Sequence, residues 1–415
     1  MADCARDAGR SIHQMKPRTI MVIAGDPSGD RLAAELVTAL RREILAASQD
    51  TSADVQPLRT PLAPRFFGAG GPEMAAAGVE LAFDLTQFAV IGVTGVLKSL
   101  PNFLRMLRQL RKLAIERQPD VIIGVDFSGF NLRLARAIKD HVRKHHAQFT
   151  PWNPRLVQFV LPQVWASRAW RAFALAENYD LLLGIIPFER AWYAQRFPGL
   201  NMHYVGHPIV ERLAEAVRQK RRRRSEAPCV LLLPGSRSAE VQRHGPLVLE
   251  TFALLRNEFP ALRAKLILPN EKLAQAMRQF AVPAAIEIQV GSVTDALADA
   301  DLAIAKSGTV TMECAMFGVP AVVFYQVSAL NSVIVKQFLT VKHIGLPNLI
   351  AGREVFPEFL LSAATPDNLA RAALKILRDS AHRQAVQSEL ARVLAALGSG
   401  GATTRAAQAI TALLP

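Results

Sequence analysis

The stretch TIMVIAGDPSGDRLAAELVTAL, residues 19–40, decides the fold of this chain. It opens with apolar and β-branched residues, turns at Gly25-Asp26-Pro27-Ser28-Gly29-Asp30 and continues with apolar residues at helical spacing through Leu40. A short apolar run without alternation is typical of a strand that is covered on both faces, as in parallel sheets. The stretch therefore predicts the first strand and helix of a parallel α/β sheet.

The same pattern recurs along the chain, which favours a doubly wound architecture. Short apolar runs predict further strands at residues 66–67, 121–125, 156–160, 181–186, 230–233, 264–268, 302–305 and 321–324. The pattern breaks near residues 214–228, where arginine and lysine form a basic run that a core would not accommodate. We expect two Rossmann-like domains joined by a solvated linker; a dedicated binding patch is the alternative reading of the basic run.

The composition limits the class of protein. The chain has 415 residues, of which 50% are hydrophobic, so a disordered tail and a disulfide mini-scaffold are excluded. Cys4, Cys229 and Cys314 form no C-x-x-C pair and fit a reducing compartment. No apolar run reaches the roughly 18 residues that a membrane-spanning helix needs. Residues 1–16 lack the apolar region of a signal peptide and are predicted to be a flexible extension.

The charge of the chain is strongly positive. Lysine and arginine number 49 against 35 aspartates and glutamates, a net charge of +14. Such a surface suits nucleic acid, an anionic membrane or phosphorylated substrates, or is simply solvated. Only 7% of residues are aromatic, and they are not interleaved with basic residues as in a base-stacking platform. We therefore expect no nucleic-acid partner.

Ligands of open α/β sheets bind beyond the carboxyl ends of the strands, so the strand-to-helix turns are the places to search. In the second half, Lys306-Ser307-Gly308-Thr309 opens a helix, and its amides suit a phosphate. Glu313 shares a helix face with Thr309 and suits a ribose or sugar diol, or is a plain surface residue. Arg237, in the turn Gly235-Ser236-Arg237, can fork onto a diphosphate or is likewise a surface residue.

In the first half, Asp126 follows the apolar run 121–125. A carboxylate there can act as a general base on an acceptor hydroxyl, and burial would raise its pKa toward a useful range. A helix cap is the alternative role for Asp126. His207 follows another strand end and either binds a ligand or lies in the domain junction.

Cofactor motifs are missing from the sequence. It contains no G-x-G-x-x-G dinucleotide pattern, no P-loop and no histidine pair at H-x-x-x-H spacing that is accompanied by carboxylates as in a metal site. We therefore expect no metal and no cofactor.

Residues 90–113 combine many apolar residues with Lys98, Arg105, Arg108, Arg111 and Lys112. This pattern is typical of a basic amphipathic helix that lies on an anionic bilayer or accepts acyl chains. An ordinary amphipathic core helix is the alternative.

Taken together, these residues resemble the lipid-A-disaccharide synthases, inverting glycosyltransferases of the GT-B fold. The resemblance runs from about Thr19 to the C-terminus and rests on motifs in a fixed order. These are Ala24 to Asp30, Gly68 to Met74, Gly124-Val125-Asp126 with Phe130-Asn131, Pro162 to Ala166, Pro187-Phe188-Glu189 with Tyr193, Val205-Gly206-His207, Leu233 to Arg237 with Glu240-Val241, Ser307-Gly308-Thr309 with Glu313, Leu346 to Leu349 and Ala351 to Glu354.

The resemblance implies transfer of 2,3-diacylglucosamine from UDP-2,3-diacylglucosamine to 2,3-diacylglucosamine 1-phosphate, giving the β-1,6-linked lipid A disaccharide and UDP. Asp126 matches the candidate base of the family. The implied donor-site residues are Gly235, Ser236, Arg237, Ser307, Gly308, Thr309 and Glu313. The implied acceptor-side residues are Asp26, Ser28, Asp30, Asn131, Trp165 and His207. UDP-sugar is a substrate and not a cofactor.

The resemblance also implies the organisation and location of the protein. We expect an acceptor-side domain at 17–210, a basic linker at 211–228, a UDP-sugar domain at 229–380 facing the first across a cleft, and C-terminal helices at 381–415. The helices would pack back on the domains or form a homodimer. The protein would be cytoplasmic and peripherally bound to the anionic cytoplasmic face of the inner membrane.

The sequence departs from the family pattern on the acceptor side. Gly129 replaces a second aspartate, Gly95 a common glutamate and Asp26 a usual glutamate, while Gln163 and Ser167 replace a serine and a tryptophan. Two rivals remain. The first is another transferase or epimerase that uses UDP-N-acetylglucosamine-type sugars, and the second, which Gly129 and Gly95 motivate, is a GT-B-shaped protein that binds UDP without turnover.

Overall fold

The computed structural model describes residues 17–50, 63–89, 96–145, 152–219, 227–327 and 341–414. The expectations for the extension at 1–16 and for Gly95 lie outside the described residues. So do the middle of the basic run and residues 90–95 of the amphipathic stretch.

The first sheet has seven strands in the order β3-β2-β1-β4-β5-β6-β7, and the pairs β1–β2, β1–β4, β2–β3 and β6–β7 are parallel. The strands are β1 Thr19–Ala24, β2 Arg65–Gly70, β3 Glu80–Asp84, β4 Val121–Val125, β5 Arg155–Phe159, β6 Leu181–Gly184 and β7 Met202–Tyr204. The helices between and after them are α1 Pro27–Asp50, α2 Pro72–Ala76, α3 Thr86–Ala89, α4 Val96–Arg117, α5 Ser128–His145, α6 Arg171–Asn178, α7 Glu189–Arg196 and α8 Pro208–Arg218.

The second sheet has six parallel strands in the order β10-β9-β8-β11-β12-β13. The strands are β8 Cys229–Leu233, β9 Arg263–Leu268, β10 Ile286–Val290, β11 Leu302–Lys306, β12 Ala321–Tyr325 and β13 Glu358–Leu360. The accompanying helices are α9 Ser238–Glu258, α10 Glu271–Arg278, α11 Val293–Leu297, α12 Val310–Met316, α13 Leu346–Ala351, α14 Pro366–Arg378, α15 Ser380–Ala396 and α16 Ala402–Thr411.

Both sheets reverse their strand order at one place, between β1 and β4 in the first and between β8 and β11 in the second. In an open α/β sheet the connections leave such a pair in opposite directions, and the opening between them is the usual ligand site. The turns that follow β1, β4, β8 and β11 contain most of the predicted site residues. The predicted fold class, two Rossmann-like parallel-sheet domains, is confirmed.

The second sheet is covered on both faces, as its apolar strands predict. Val230 and Leu232 of β8 pack on one side with Phe252 of α9. Their neighbour Leu231 points to the other side and packs with Met312 of α12. Successive side chains of a strand face opposite ways, so β8 needs apolar residues at every position.

The linker prediction at 211–228 is wrong for its first part. Residues 211–218 form the end of α8, and Leu213 is buried in the apolar cluster beneath the second sheet. An amphipathic helix gains stability by covering apolar strands. The prediction considered only the charged residues of this segment and overlooked the apolar face of α8.

A second correction concerns the strand predicted at residues 66–67, which is longer: residues 65–70 form β2. A Cβ atom on Gly68 would lie 1.9 Å from the carbonyl oxygen of Val22 on β1. Gly68 has φ +154, a conformation that other residues rarely adopt. Glycine is therefore needed for β2 to approach β1.

Spatial grouping of the described residues gives two compact units that differ from the predicted domains. The first contains residues 17–89, 101–158 and 407–414, and the second contains 159–406 with residues 96–100. Within the second unit the segment predicted as C-terminal helices packs back on the end of β7. The Tyr204 hydroxyl donates to the Leu397 carbonyl at 2.8 Å, and Arg405 Nε donates to the Val205 carbonyl at 2.9 Å.

Among the described residues, no helix has both the length and the apolar character required to cross a bilayer.

Candidate functional site

Asp126 occupies the turn directly after β4 and has a left-handed backbone, with φ +47 at Asp126 and +40 at Phe127. The side chain is half-buried. Burial and the negative charge of Asp26 raise the pKa of Asp126 to about 6, against a hydrogen bond from the Phe127 amide that lowers it. A carboxylate with such a pKa is ionised at neutral pH and basic enough to accept a proton from a reacting hydroxyl.

Asp26 occupies the matching turn after β1, the strand that pairs with β4. Its Oδ1 accepts a hydrogen bond of 2.7 Å from the Gly29 amide, which caps the start of α1. The structure thus places Asp26 and Asp126 at one switch point, as the strand-end rule predicts. Ser28 lies exposed in the first turn of α1.

Asn131 supports this turn through its side-chain amide. The residue is buried, and its Nδ2 donates to the backbone carbonyl oxygen of Asp126 at 2.8 Å. Gln158 Nε2, on β5, donates to the same oxygen at 3.0 Å. Gln158 was not among the predicted site residues, although it is the polar residue of an apolar strand and this contrast marks it in the sequence.

Asp30 does not present its carboxylate to a ligand, contrary to its predicted place on the acceptor side. It is 1% exposed, and its two oxygens accept from the amides of Gly71 at 2.7 Å, Glu73 at 3.0 Å and Met74 at 3.2 Å. These are the unpaired amides at the start of α2. Asp30 therefore fixes α2 against α1.

Trp165, another predicted acceptor-side residue, is buried. Its indole Nε1 donates to Glu189 Oε1 at 3.2 Å, and its ring packs edge-on against Phe188. The other oxygen of Glu189 accepts from the Ile186 amide at 3.2 Å. Burial raises the pKa of Glu189 to about 7, although the bonds from Trp165 and the backbone oppose the shift.

His207 caps the start of α8 and is neutral at physiological pH. Burial and the nearby charge of Arg212 lower its pKa to about 4. Its Nδ1 accepts a hydrogen bond of 3.1 Å from the Ile209 amide. The proton of the neutral ring is therefore on Nε2, and any ligand bond made by His207 would be a donated one.

The predicted donor turn at residues 235–237 is organised by Glu240, which sequence reasoning did not assign to the site. Glu240 Oε2 accepts from the Ser236 amide at 2.9 Å. Its Oε1 lies 3.1 Å from Lys306 Nζ and 3.6 Å from Arg237 Nη1. Burial raises the pKa of Glu240, but Lys306, the Ser236 amide and Arg237 outweigh it and the net shift is downward. The ionised carboxylate ties the turn after β8 to the end of β11, leaving the Arg237 side chain 71% exposed.

His244 holds the same turn from below. It is buried, its Nδ1 lies 2.6 Å from the Pro234 carbonyl, and its Nε2 lies 3.3 Å from the Gln326 carbonyl. Burial lowers the pKa of His244, against the bonds to the Pro234 and Gln326 carbonyls, which raise it. A neutral imidazole has one N–H, so in that form His244 donates only one of these bonds at a time.

The turn at residues 306–309 is exposed at Gly308 and Thr309. The Ser307 amide is already bonded to the Phe324 carbonyl at 2.8 Å, so it is not available to a phosphate. A Cβ atom on Gly308 would meet nothing within 4 Å, which leaves the backbone open to close approach. Burial raises the pKa of Glu313, with Arg212 acting against the shift.

The described part of the amphipathic segment, α4 from residue 101, packs its apolar side inward. Met106 and Leu110 are buried, and the Phe103 ring contacts Phe130 edge-on at 5.1 Å. Arg105, Arg108, Arg111 and Lys112 are exposed. The buried apolar face of this part of α4 is that of an ordinary core helix, which was the alternative prediction. The face exposed to solvent is basic.

Within the described residues, no cluster of three or more histidine, cysteine or acidic side chains has a metal-binding arrangement.

Comparison with known proteins identifies the family. The family model described as "Lipid-A-disaccharide synthetase" matches residues 20–412. The lipid-A-disaccharide synthase of Myxococcus xanthus is 36% identical over 406 residues, covering 96% of this chain and 98% of the relative. That of Syntrophus aciditrophicus is 34% identical, covering 95% of this chain and 97% of the relative.

Solved structures share the fold at low identity. The Staphylococcus aureus MnaA–UDP co-structure has a TM-score of 0.60 at 12% identity and covers 94% of both chains. The glycosyltransferase of kitacinnamycin has a TM-score of 0.58 at 19% identity and covers 96% of this chain and all of the other. The full-length match to the family model and the curated relatives shows that this chain belongs to the lipid-A-disaccharide synthase family, glycosyltransferases of lipid A biosynthesis.

Proposed function

We propose that this chain transfers 2,3-diacylglucosamine from UDP-2,3-diacylglucosamine to the 6-hydroxyl of 2,3-diacylglucosamine 1-phosphate, with inversion, and releases UDP. The products are the β-1,6-linked lipid A disaccharide 1-phosphate and UDP. Family membership supports the reaction, and the observation that carries the residue assignment is the environment of Asp126.

Asp126 is the proposed general base. The acceptor hydroxyl attacks the anomeric carbon, the new glycosidic bond forms as the bond to UDP breaks, and Asp126 takes the hydroxyl proton. Burial and the charge of Asp26 raise the pKa of Asp126 to about 6, which supports this role. One displacement leaves the anomeric centre inverted.

The second sheet is the proposed UDP site, and Arg237 stabilises the departing diphosphate. Its exposed guanidinium is oriented by Glu240, and the open backbone at Gly308 suits a phosphate. Thr309 and Glu313 are proposed to contact the nucleoside sugar. Asp26, Ser28 and His207 remain proposed acceptor-side residues, and His207 would donate from Nε2.

The test is UDP release and product mass from purified protein that is given the two acyl sugars in detergent micelles. A tetraacyl disaccharide 1-phosphate supports the proposal. A free epimerised sugar would instead indicate an epimerase of UDP-N-acetylglucosamine-type sugars. A different glycolipid would indicate a transferase that uses such a sugar with another acceptor.

A GT-B-shaped protein that binds UDP without turnover is the second candidate, and Gly129 is the observation that favours it. Gly129 is exposed, and a Cβ atom there would meet only Arg133 Nη1, at 3.9 Å. Space therefore does not exclude the aspartate that is usual in the family. UDP binding without product in the wild type, together with product from Gly129→Asp, would establish this candidate.

We further propose a peripheral position on the anionic cytoplasmic face of the inner membrane and a homodimer formed through the C-terminal helices. The exposed basic side chains of α4 support the first of these. The dimer rests on the family resemblance alone, and light scattering of the purified protein tests it.

A further inference from the structure

The backbone carbonyl of Asp126 accepts hydrogen bonds from two side-chain amides. Asn131 Nδ2 donates from α5 at 2.8 Å, and Gln158 Nε2 donates from β5 at 3.0 Å. Asn131 is 3% exposed and Gln158 is 0% exposed. Both donor side chains are therefore shielded from water, and a hydrogen bond in such surroundings is stronger than at an exposed site.

The peptide that they hold is strained. Asp126 and Phe127 are consecutive residues with positive φ, a conformation that is unfavourable for residues other than glycine. Aspartate tolerates this region better than phenylalanine does. Such a conformation persists only when the surroundings hold it in place.

Packing holds the Phe127 side of the turn. The place where a Cβ atom of Gly25 would stand is only 2.1 Å from the Phe127 ring, so the ring lies directly against the Gly25 backbone. The ring also stacks on Phe130 at 5.7 Å, and the Phe127 carbonyl accepts from the Phe130 amide at 3.0 Å. The amides of Asn131 and Gln158 hold the Asp126 side.

Gly124 makes room for the two amides. A Cβ atom on Gly124 would lie 2.8 Å from Gln158 Oε1 and 2.9 Å from Asn131 Cγ. Both side chains thus cross the backbone of β4 two residues before Asp126, in space that only glycine leaves open.

We propose that Gln158 is a positioning residue for the transfer reaction, which together with Asn131 holds the Asp126 peptide in the left-handed conformation that presents its carboxylate to the acceptor. The inference rests on the proposed role of Asp126 as base. Gln158 is a buried polar residue whose neighbours in β5 are apolar, and a role in strand packing alone would be filled by an apolar residue.

Gln158→Met tests the proposal because methionine has a similar length and no donor. When the carbonyl is released, the Asp126 side chain moves toward water. We expect kcat to fall by about 10- to 100-fold with KM nearly unchanged, since a displacement of about 1 Å reduces rates on that scale. The acid limb of the pH profile of kcat/KM should move to lower pH, because the carboxyl loses part of its burial. Gln158→His, which restores an N–H donor, should recover part of the rate.

The double variant Asp126→Asn/Gln158→Met separates positioning from general stability. If Gln158 acts through Asp126, adding Gln158→Met to Asp126→Asn lowers kcat no further. A full multiplicative loss, or a wild-type pH profile in Gln158→Met, would overturn the proposal. Asn178→Leu is the matched control, since it removes another buried amide that donates to a backbone carbonyl, and it should leave the pH profile unchanged.

Failure of the base assignment is distinguishable from failure of this inference. Asp126→Asn at the full rate would refute the base and the positioning role together. A slow Asp126→Asn with a fully active Gln158→Met would refute the positioning role alone. Circular dichroism and the thermal unfolding midpoint check that each variant is folded, and Asn131→Leu, measured in the same way, replaces Gln158→Met if that variant does not fold.

Discussion

The carboxylate of Asp26 lies close enough to that of Asp126 for its negative charge to raise the pKa of Asp126. The two residues are 100 positions apart in the sequence and meet because β1 and β4 pair in parallel, with Ala24 opposite Val125. A residue in the turn after β1 therefore influences the pKa of the proposed base in the turn after β4.

Asp26→Asn should shift the pH dependence of catalysis. Asparagine keeps the oxygen that accepts from Gly29 but removes the charge, so the pKa of Asp126 falls and the acid limb of kcat/KM moves to lower pH. The wild-type limb should lie near pH 6, with activity lost as the pH falls through that value. A variant whose limb coincides with the wild-type limb would show that the charge of Asp26 does not act on the base.

Gly235→Ala should destabilise the protein through Glu240. Gly235 has φ +130, and a Cβ atom would lie 2.5 Å from Glu240 Oε2. We expect a loss of about 1–3 kcal/mol in the free energy of unfolding, measured with urea, and a higher KM for the UDP-sugar. Gly291→Ala is the control, because Gly291 has φ +119 and open space around it. Equal losses in the two variants would attribute the effect to backbone strain alone.

Glu189→Gln should change how stability depends on pH. The pKa of Glu189 is about 7 in the folded protein against an ordinary 4.5, so the folded state binds the proton more tightly. The stability contributed by the protonated Glu189 carboxyl is complete below about pH 4.5 and is lost as the pH rises through about 7. The wild type should therefore lose unfolding free energy relative to Glu189→Gln, which does not titrate at this position, as the pH rises over this interval. The range from about pH 4 to 8 spans both pKa values of Glu189. A difference that stays constant over this range would show that the pKa of Glu189 is not raised in the folded protein.

Replacing Arg105, Arg108 and Arg111 with glutamate should abolish binding to anionic vesicles. These side chains are exposed on α4. Met106 and Leu110 pack inward and Leu104 is 42% exposed, so attraction to the bilayer through this helix is mainly electrostatic. Sedimentation with vesicles of anionic and of neutral phospholipid measures it, and salt should weaken the wild-type binding. Replacing the exposed residues Arg256, Lys272 and Arg371 with glutamate gives an equal change in net charge. Equal losses in both triple variants would mean that net charge, rather than α4, drives binding.

The sequence predicted the central strands well because these strands are covered on both faces. The runs at 19–24 and 121–125 match β1 and β4 residue for residue. The strands β3, β10 and β13 were missed, and each forms an edge of its sheet. Edge strands are half-exposed, so they mix polar and apolar residues and lose the continuous apolar signal.

The sequence predicted where the site residues lie in the fold, but not which hydrogen bonds and ion pairs they make. The strand-end rule brought Asp26 to Asp126 and placed residues 235–237 beside 306–309, because adjacent strands in a parallel sheet end at the same edge. It could not show that the Asp30 carboxylate is already occupied by three amides, or that Glu240 joins the two donor turns. Such contacts depend on side-chain directions, which strand periodicity does not encode.

The pairing of β1 with β4 also bears on how such a protein can change in evolution. The relative placement of Asp26 and Asp126 is fixed by two neighbouring strands and not by the chain that connects them. Insertions and deletions in the interval between β1 and β4, outside its strands and helices, can therefore accumulate without separating the two carboxylates. Length variation among relatives should concentrate in that interval, whereas the spacing from each carboxylate back to its own strand should stay constant.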